Sequence, residues 1–236
     1  MRKQLSNLFG TVDLAEKINI MKRERTFDRE YWDNYYDKDK TVHYPSCFAE
    51  FCQDKYISDS SIILDLGCGN ARDSLYFAEH GHCVIGIDYS EVVTKKNIVT
   101  SRKLIKNGKI KFIQTDFTRD LDNYGKIDVV YSRFSMHVIS ENDQKRLIKE
   151  VYKVLEVGGL FLIEFRTIND PLFKCGKKLS DFERFTDHYR RFIDGTKFLY
   201  DLIKIGFHVK LFIEDNKLAT YFDEDPVVAR YILEKI

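Results

Sequence analysis

Short apolar runs that alternate with amphipathic stretches set the plan of this chain. Ile62-Ile63-Leu64-Asp65-Leu66 is a buried run of strand length, and the Gly67-Cys68-Gly69 that follows it predicts a tight turn into a helix from about Arg72. The alternation then repeats. A helix over 73–80 is stopped by Gly81, a strand over 83–87 ends in Asp88, and a helical stretch runs over 91–106. Strands are predicted over 110–115 and 128–132, a helix over 141–155 ended by Gly158-Gly159, and a strand over 160–165. A helix over 198–205 and strands over 206–213 and 226–233, the strands joined by an acidic, hairpin-like connection, bring the strand count to seven.

Two regions depart from this rhythm. Phe27-Asp28-Arg29-Glu30-Tyr31-Trp32-Asp33-Asn34-Tyr35-Tyr36 carries five aromatics in ten positions and predicts a helix with one aromatic face. Either that face packs on the main sheet, or Trp32, Tyr35 and Tyr36 close as a lid over a ligand. A cationic ligand would gain about 0.5–2 kcal/mol beside such rings. His43-Tyr44-Pro45-Ser46 breaks the region as a hinge, and a second short helix is expected over 47–56. Residues 1–25 show no period and receive no function. The other departure is 167–190, charged and aperiodic, which is placed where loops on a rigid scaffold carry specificity.

Composition narrows the classes. With 236 residues, 44% hydrophobic and 32% charged, the chain is of ordinary globular make-up and can bury a sizeable core. A net charge of +1 gives no global reason for a nucleic-acid or anionic-membrane partner and favours a small substrate. Five cysteines without a Cys-x-x-Cys pair suggest neither a disulfide framework nor a zinc site, and fit a reducing cytoplasm. No run approaches the roughly 18 apolar residues that span a bilayer, and the first residues lack a secretion-signal core.

The glycine turn carries the chemistry. Glycine permits positive φ and lacks a Cβ, so the backbone of 67–69 can lie against a small molecule whose amine faces Asp65, beside the free N–H groups of a helix start. A dinucleotide fingerprint would need a third glycine where Arg72 stands. Asp88, 23 positions after Asp65 (88 − 65), stands at the distance of an acidic residue that accepts from both hydroxyls of a ribose; the alternative is that Asp88 or Ser90 caps the next helix. The basic set Lys95, Lys96, Arg102, Lys103, Lys106, Lys109 and Lys111 reads as a solvated face.

Asp65-Leu66-Gly67-Cys68-Gly69-Asn70-Ala71 resembles the first signature of the class I S-adenosylmethionine-dependent methyltransferases, with Ala71 in place of the last glycine. The resemblance covers about 60–165 and implies a Rossmann-like α/β fold: a seven-stranded, mostly parallel sheet with an antiparallel last strand and helices on both faces. It implies S-adenosylmethionine as cofactor, S-adenosylhomocysteine as product, and Asp65, Gly67, Cys68, Gly69, Asp88, Tyr89, Asp116, Phe117, Ser132 and Arg133 as its surroundings. Asp116-Phe117 matches the adenine-reading position, where a carboxylate accepts from the exocyclic amine and the ring supplies a face. Ser132-Arg133-Phe134-Ser135 lacks the Pro-Pro-aromatic sequence of methyltransferases that modify base amino groups, which lowers the nucleic-acid reading.

His137 is a candidate general base, with a packing role as the alternative, and Arg133 is a candidate contact to cofactor or substrate. Arg166, His188, Arg190 and Arg191 could hold a phosphate or carboxylate, or be solvated loop charges. The organisation expected is an N-terminal helical cap over 1–58 and a methyltransferase domain over 59–236 with a substrate-loop insertion over about 167–191. The function expected is metal-independent O- or N-methylation of a small molecule, for which a phosphorylated or sugar-like bacterial intermediate is suggested. An RNA or protein methyltransferase, a non-catalytic cofactor-binding protein and an NAD-dependent dehydrogenase are the alternatives. The oligomeric state is left open.

Overall fold

The computed structural model describes residues 29–38, 44–119, 121–220 and 224–236. Residues 1–28, with the expected helix start at Phe27 and Asp28, and His43 of the expected hinge lie outside the described residues. Helix α1 occupies 29–38. Then follow α2 (Cys47–Lys55), β1 (Ile62–Leu66), α3 (Arg72–Glu79), β2 (Cys83–Asp88), α4 (Glu91–Thr100), α5 (Arg102–Lys106), β3 (Ile110–Gln114), β4 (Ile127–Arg133), α6 (Glu141–Val154) and β5 (Leu155–Arg166). The chain continues through three short strands, β6 (Lys177–Lys178), β7 (Glu183–Phe185) and β8 (Tyr189–Arg191), to α7 (Gly195–Ile205), β9 (Phe207–Asp215) and β10 (Val228–Lys235).

Seven strands form one sheet in the order β3-β2-β1-β4-β5-β10-β9. The first five pair in parallel, while β10 inserts antiparallel between β5 and β9. This is a Rossmann-like sheet whose order reverses beside β1, so the tips of β1, β2, β3 and β4 share the edge at which open α/β sheets bind ligands. Helices cover both faces. On one side Leu147, Ile148 and Val151 of α6 and Phe198 and Leu202 of α7 join Val130, Phe161, Ile163 and Phe165 of the sheet. On the other, Phe48, Ala49 and Cys52 of α2 and Phe77 and Ala78 of α3 join Ile63, Val129, Tyr131 and Leu162. Each fully buried aliphatic or aromatic side chain contributes about 1.5–3 kcal/mol to this assembly. α2 is thus a layer of the main core, whereas α1 contributes to neither cluster.

Four of the helices begin where a short polar residue caps them. Ser46, Ser90, Ser140 and Asp194 accept from the backbone N–H groups of Ala49, Val93, Asp143 and Lys197, so Ser90 rather than Asp88 is the cap of α4. Two expectations are corrected. The helical stretch 91–106 is two helices, because Ser101 ends α4 and α5 restarts from it. Gly158-Gly159 do not end α6, which stops at Val154; Leu155 already pairs with Ile127 of β4, so the glycines lie inside β5, opposite a register shift between Ile127 and Val129.

The 167–190 stretch is ordered as a turn at Pro171–Lys174, capped by Asp170, and the antiparallel sheet β6-β7-β8. Arg191 fastens it to the body, donating to the carbonyl of Ile139 at 3.1 Å and to Gln144. No helix among the described residues is long and apolar enough to cross a membrane.

Candidate functional site

At the tip of β1 the chain turns through Gly67 (φ +74°) and Gly69 (φ +52°), conformations that exclude most other residues. A Cβ on Gly67 would stand 2.8 Å from Ser135 Cβ and 3.4 Å from the Phe117 ring, and one on Gly69 would stand 2.5 Å from the Tyr36 hydroxyl. The turn therefore gathers the tips of β3 and β4 and the helix α1 around itself. It is fixed from below: Gly69 N–H donates to Asp88 Oδ2 at 2.9 Å, and Asn97 of α4 donates to the Gly69 carbonyl at 2.8 Å. The Cys68 thiol faces inward toward Gly86, so Cys68 offers the site its backbone alone.

Two of the three strand-tip carboxylates are buried. Asp65, 3% exposed, accepts from Ser74 Oγ at 2.5 Å. Burial pushes it up to about 8 against that hydrogen bond, and the charges of Asp73 and Asp88 add to the rise. Burial likewise pushes Asp88 up to about 6, resisted by the N–H groups of Ser90 and Gly69. Tyr89 beside it is half-buried, its carbonyl accepting from Gln114. Asp116 turns on its own loop, accepting from the Thr118 N–H at 3.0 Å and hydroxyl at 2.6 Å, while the Phe117 ring is buried beside Gly67. Ser132 Oγ lies 2.6 Å from Ser135 Oγ.

α1 roofs these tips and is latched on two sides through its first half. Asp33 Oδ1 accepts from Ser90 Oγ at 2.5 Å and from Val92 N–H at 3.2 Å, and Arg29 reaches Glu91 at 3.0 Å. At the insertion, Tyr31 donates to Asp187 at 2.8 Å and lies 3.0 Å from His188 Nδ1. The Tyr31, Trp32, Tyr35 and Tyr36 rings form a continuous set of stacked and edge contacts, with His188 5.1 Å from Trp32. Against its burial, hydrogen bonds from Thr186, Arg190 and Tyr31 hold Asp187 well below the usual carboxylate range. Burial, then the charge of Arg190, pushes His188 down to about 4.

The reactive end lies past β4. Phe134 has φ +56°, an outlier for a bulky side chain that costs about 1–3 kcal/mol. Its ring sits 4.3 Å from the Arg133 guanidinium, 5.7 Å from that of Arg166 and 5.5 Å from His137. His137 is 5% exposed and its Nδ1 has no hydrogen-bond partner among the described residues. Burial, with the charges of Arg166, His188, Arg190 and Arg191, holds it well below the usual histidine range, so the ring is neutral at pH 7.

Those four basic residues surround His137 without forming one open clamp. Arg166 donates to Asp170 at 3.1 Å and Glu224 at 2.5 Å, Arg190 donates to Thr186 and Asp187, and Arg191 is turned to Ile139 and Gln144. The phosphate grip expected from them would need partners to be exchanged.

Several residues at the site escaped the sequence reading. Asn97 and Asp33 fasten the glycine turn and its roof, Ser90, expected only as a helix cap, also binds Asp33, and Ser135 packs on Gly67. Asp73 accepts from Ser46 N–H at 2.7 Å, Ser46 Oγ at 2.8 Å and Tyr131 at 2.9 Å, tying the start of α2 to α3 and β4. Glu164, fully buried, accepts from Arg133 and Arg230. Ser90 carried a signal as a helix cap, whereas Asp33 is one of five polar positions in the aromatic segment.

The donor set suits an adenosyl sulfonium. Two buried carboxylates with raised proton affinity suit a cation and a diol, an apolar ring stands at the third strand tip, and the glycine turn presents bare backbone against Ser135, Phe117 and Tyr36. Comparison agrees. A methyltransferase-domain family model matches residues 63–159. An uncharacterized methyltransferase of Schizosaccharomyces pombe is 32% identical over 113 residues, which cover 48% of this chain and 77% of that protein. The glycine/sarcosine N-methyltransferase of Halorhodospira halochloris is 23% identical over 86% of this chain and 85% of its own length. Other curated relatives are longer than the match: the chain spans 53% of an uncharacterized methyltransferase of Synechocystis and 22% of an eEF1A lysine and N-terminal methyltransferase homolog of Drosophila melanogaster. An S-adenosylmethionine-dependent methyltransferase from Methanosarcina mazei shares the fold with a TM-score of 0.63 at 19% identity, over 78% of this chain and 96% of its own.

Proposed function

The chain belongs to the class I S-adenosylmethionine-dependent methyltransferases, and from that premise we propose that it methylates an oxygen or nitrogen of a small-molecule acceptor. The observation that carries the small-acceptor reading is the roof. α1 is latched to Ser90 on one side and to Asp187 and His188 on the other, which narrows access to the strand tips. The near full-length match to a glycine/sarcosine N-methyltransferase supports the same reading. The sugar-like or phosphorylated acceptor suggested by the basic loop stays part of the proposal, as does the cytoplasm, which the five free thiols favour.

The cofactor supplies a methyl group on a cationic sulfur, and the residues of this chain bind, align and dry the site around it. In this reading Asp65 faces the cofactor amine, Asp88 accepts from the ribose hydroxyls, and Asp116 with Phe117 holds the adenine. Trp32, Tyr35 and Tyr36 close over the reacting centre and exclude water. The neutral His137 ring can take the acceptor's proton once its burial is relieved by an acceptor entering beside it. Alignment of nucleophile, carbon and sulfur then supplies most of the rate enhancement.

An RNA or protein acceptor is the second reading, because the chain is also 29% identical over 73% of its length to an mRNA cap guanine-N(7) methyltransferase of Eremothecium gossypii. Incubation with methyl-labelled S-adenosylmethionine and a panel of small alcohols, amines and sugar phosphates, beside capped RNA and a protein lysate, separates them. Label in small products is expected. Label only in RNA or protein refutes the small-acceptor reading, and binding of NAD instead of S-adenosylhomocysteine refutes methyl transfer.

A further inference from the structure

Three charged side chains stand in one row across the middle of the sheet. β4 pairs Arg133 with Glu164 of β5, and β10 pairs Arg230 with the same Glu164. Glu164 Oε1 accepts from Arg133 Nε at 2.9 Å and its Oε2 from Arg230 Nε at 2.6 Å. With no exposure at the carboxylate, two guanidiniums and one carboxylate leave one positive charge over in the row. Desolvating such a triad costs more than burying apolar side chains of the same volume, so fold stability alone gives no reason for it.

The two arginines are not equivalent. Arg230 also donates to the Leu218 carbonyl and lies 3.3 Å from Cys47 Sγ. Arg133 donates only through Nε, and among the described residues its two Nη groups have no hydrogen-bond partner. One edge of its guanidinium is thus held by Glu164. One face is covered by the Phe134 ring, which its left-handed backbone folds back to 4.3 Å. What is left is the Nη edge, a planar two-donor fork fixed in direction at the tip of β4. Asp73 is the carboxylate whose charge reaches Arg133 besides Glu164, and it is already satisfied by Ser46 and Tyr131.

We propose that the Nη edge of Arg133 is a carboxylate receptor in the methyl-transfer site, with Glu164 and Arg230 as positioning residues that aim it. A fork of two parallel N–H groups matches the two oxygens of a carboxylate. The same fork can pair with a phosphate, but a dianion would leave one charge unmatched, because the neighbouring Arg166 has both Nη groups on Asp170 and Glu224. The inference rests on the reading of these strand tips as an S-adenosylmethionine site. The carboxylate has two possible sources, the amino-acid end of the cofactor and an acid group on the acceptor.

Titration calorimetry with S-adenosylhomocysteine and with 5′-methylthioadenosine, which lacks the amino-acid end, tests the first source. Arg133→Lys is expected to weaken the former about tenfold or more and leave the latter unchanged, with Glu164→Gln giving the same split. For the second source, acetate is titrated into the protein saturated with S-adenosylhomocysteine while the Arg133 Nε–Hε resonance is followed. A saturable shift in wild type that is lost in Glu164→Gln supports an acceptor carboxylate. Should Glu164→Gln not fold, protection of wild type by acetate against melting, absent in Arg133→Lys, decides the same point.

Equal weakening of both nucleosides marks Arg133 as merely structural and overturns the proposal. So does unchanged S-adenosylhomocysteine affinity together with no acetate response. A wild-type protein that binds neither nucleoside sinks the cofactor reading instead, and acetate titration of the free protein still judges Arg133.

Discussion

Replacing Asp65 with asparagine isolates a proton that cofactor binding should displace. The Asp65 carboxyl is fully enclosed, and burial pushes it up to about 8. At pH 7 it is then protonated about ten to one in the free protein, one pH unit below its midpoint. An ammonium or sulfonium placed against it favours the ionised form and pulls the midpoint down. Binding at pH 7 must therefore expel about 0.9 proton per ligand, and the apparent affinity is about tenfold (~1.4 kcal/mol) below its value at high pH. At pH 6 the deficit grows to about a hundredfold.

Calorimetric titration of S-adenosylhomocysteine at pH 7, repeated in buffers of different ionisation enthalpy, reads the proton count from the slope of heat against buffer enthalpy. Wild type is expected near one proton released. Asp65→Asn is expected near zero, with an affinity nearly independent of pH between 6 and 8. Asp88, pushed up to about 6, is mostly ionised at pH 7 and adds little to the count. Equal proton release from wild type and Asp65→Asn would refute the reasoning, because the proton would then come from another group. Wild type that releases none would refute it as well.

Other outcomes follow from the same geometry. Because the folded midpoint of Asp65 is raised, its contribution to stability is fully present below about pH 4 and is lost as pH rises through about 8. The ligand-free wild type should accordingly lose melting temperature between pH 6 and 9 more steeply than Asp65→Asn. Asp88→Asn leaves an acceptor oxygen for only one of the N–H groups of Gly69 and Ser90, which reach different oxygens of Asp88, and should weaken S-adenosylhomocysteine about tenfold while lowering stability by about 1–3 kcal/mol, measured by calorimetry and urea melts. Equal affinity in that variant counts against a ribose contact. Tyr31→Phe removes the bonds to Asp187 and His188, so hydrogen exchange over 29–38 should speed up by about three- to tenfold with the core unchanged. By NMR, His137 should show no titration between pH 5.5 and 8, and His188 a midpoint near 4. A midpoint near 6.5 in either would contradict the burial argument.

The parallel half of the sheet was legible because its strands are short, largely apolar runs, the first closed by a glycine and the second by an acidic residue. Ile62–Leu66 and Cys83–Asp88 are local signals that do not depend on their neighbours. The glycine pair at 158–159 misled for the opposite reason. Its local signal is a helix stop, but pairing of Leu155 with Ile127 begins the strand earlier and makes the glycines a bulge. Asp65, Asp88 and Phe117 could be placed from spacing and resemblance because they sit at strand tips. Glu164 could not. In sequence it is one polar residue in an apolar run, and its partners Arg133 and Arg230 lie 31 and 66 positions away, meaningful only once the strand order is known. The insertion was equally opaque, since β6, β7 and β8 are too short to show a period and Arg191 is directed by a carbonyl it meets only in the fold.

The place of β10 has a bearing on how the chain is made. Residues 228–235 are threaded between two strands that are synthesised before them, so β5 and β9 cannot meet through their intended neighbour until translation has passed residue 235. Until then the outer border of β5, with Phe161, Leu162 and Ile163, is an open template for foreign strands. Nascent chains stalled short of this point should therefore cling to chaperones or clump together, and release as a single cooperative unit should coincide with arrival of the final sheet member.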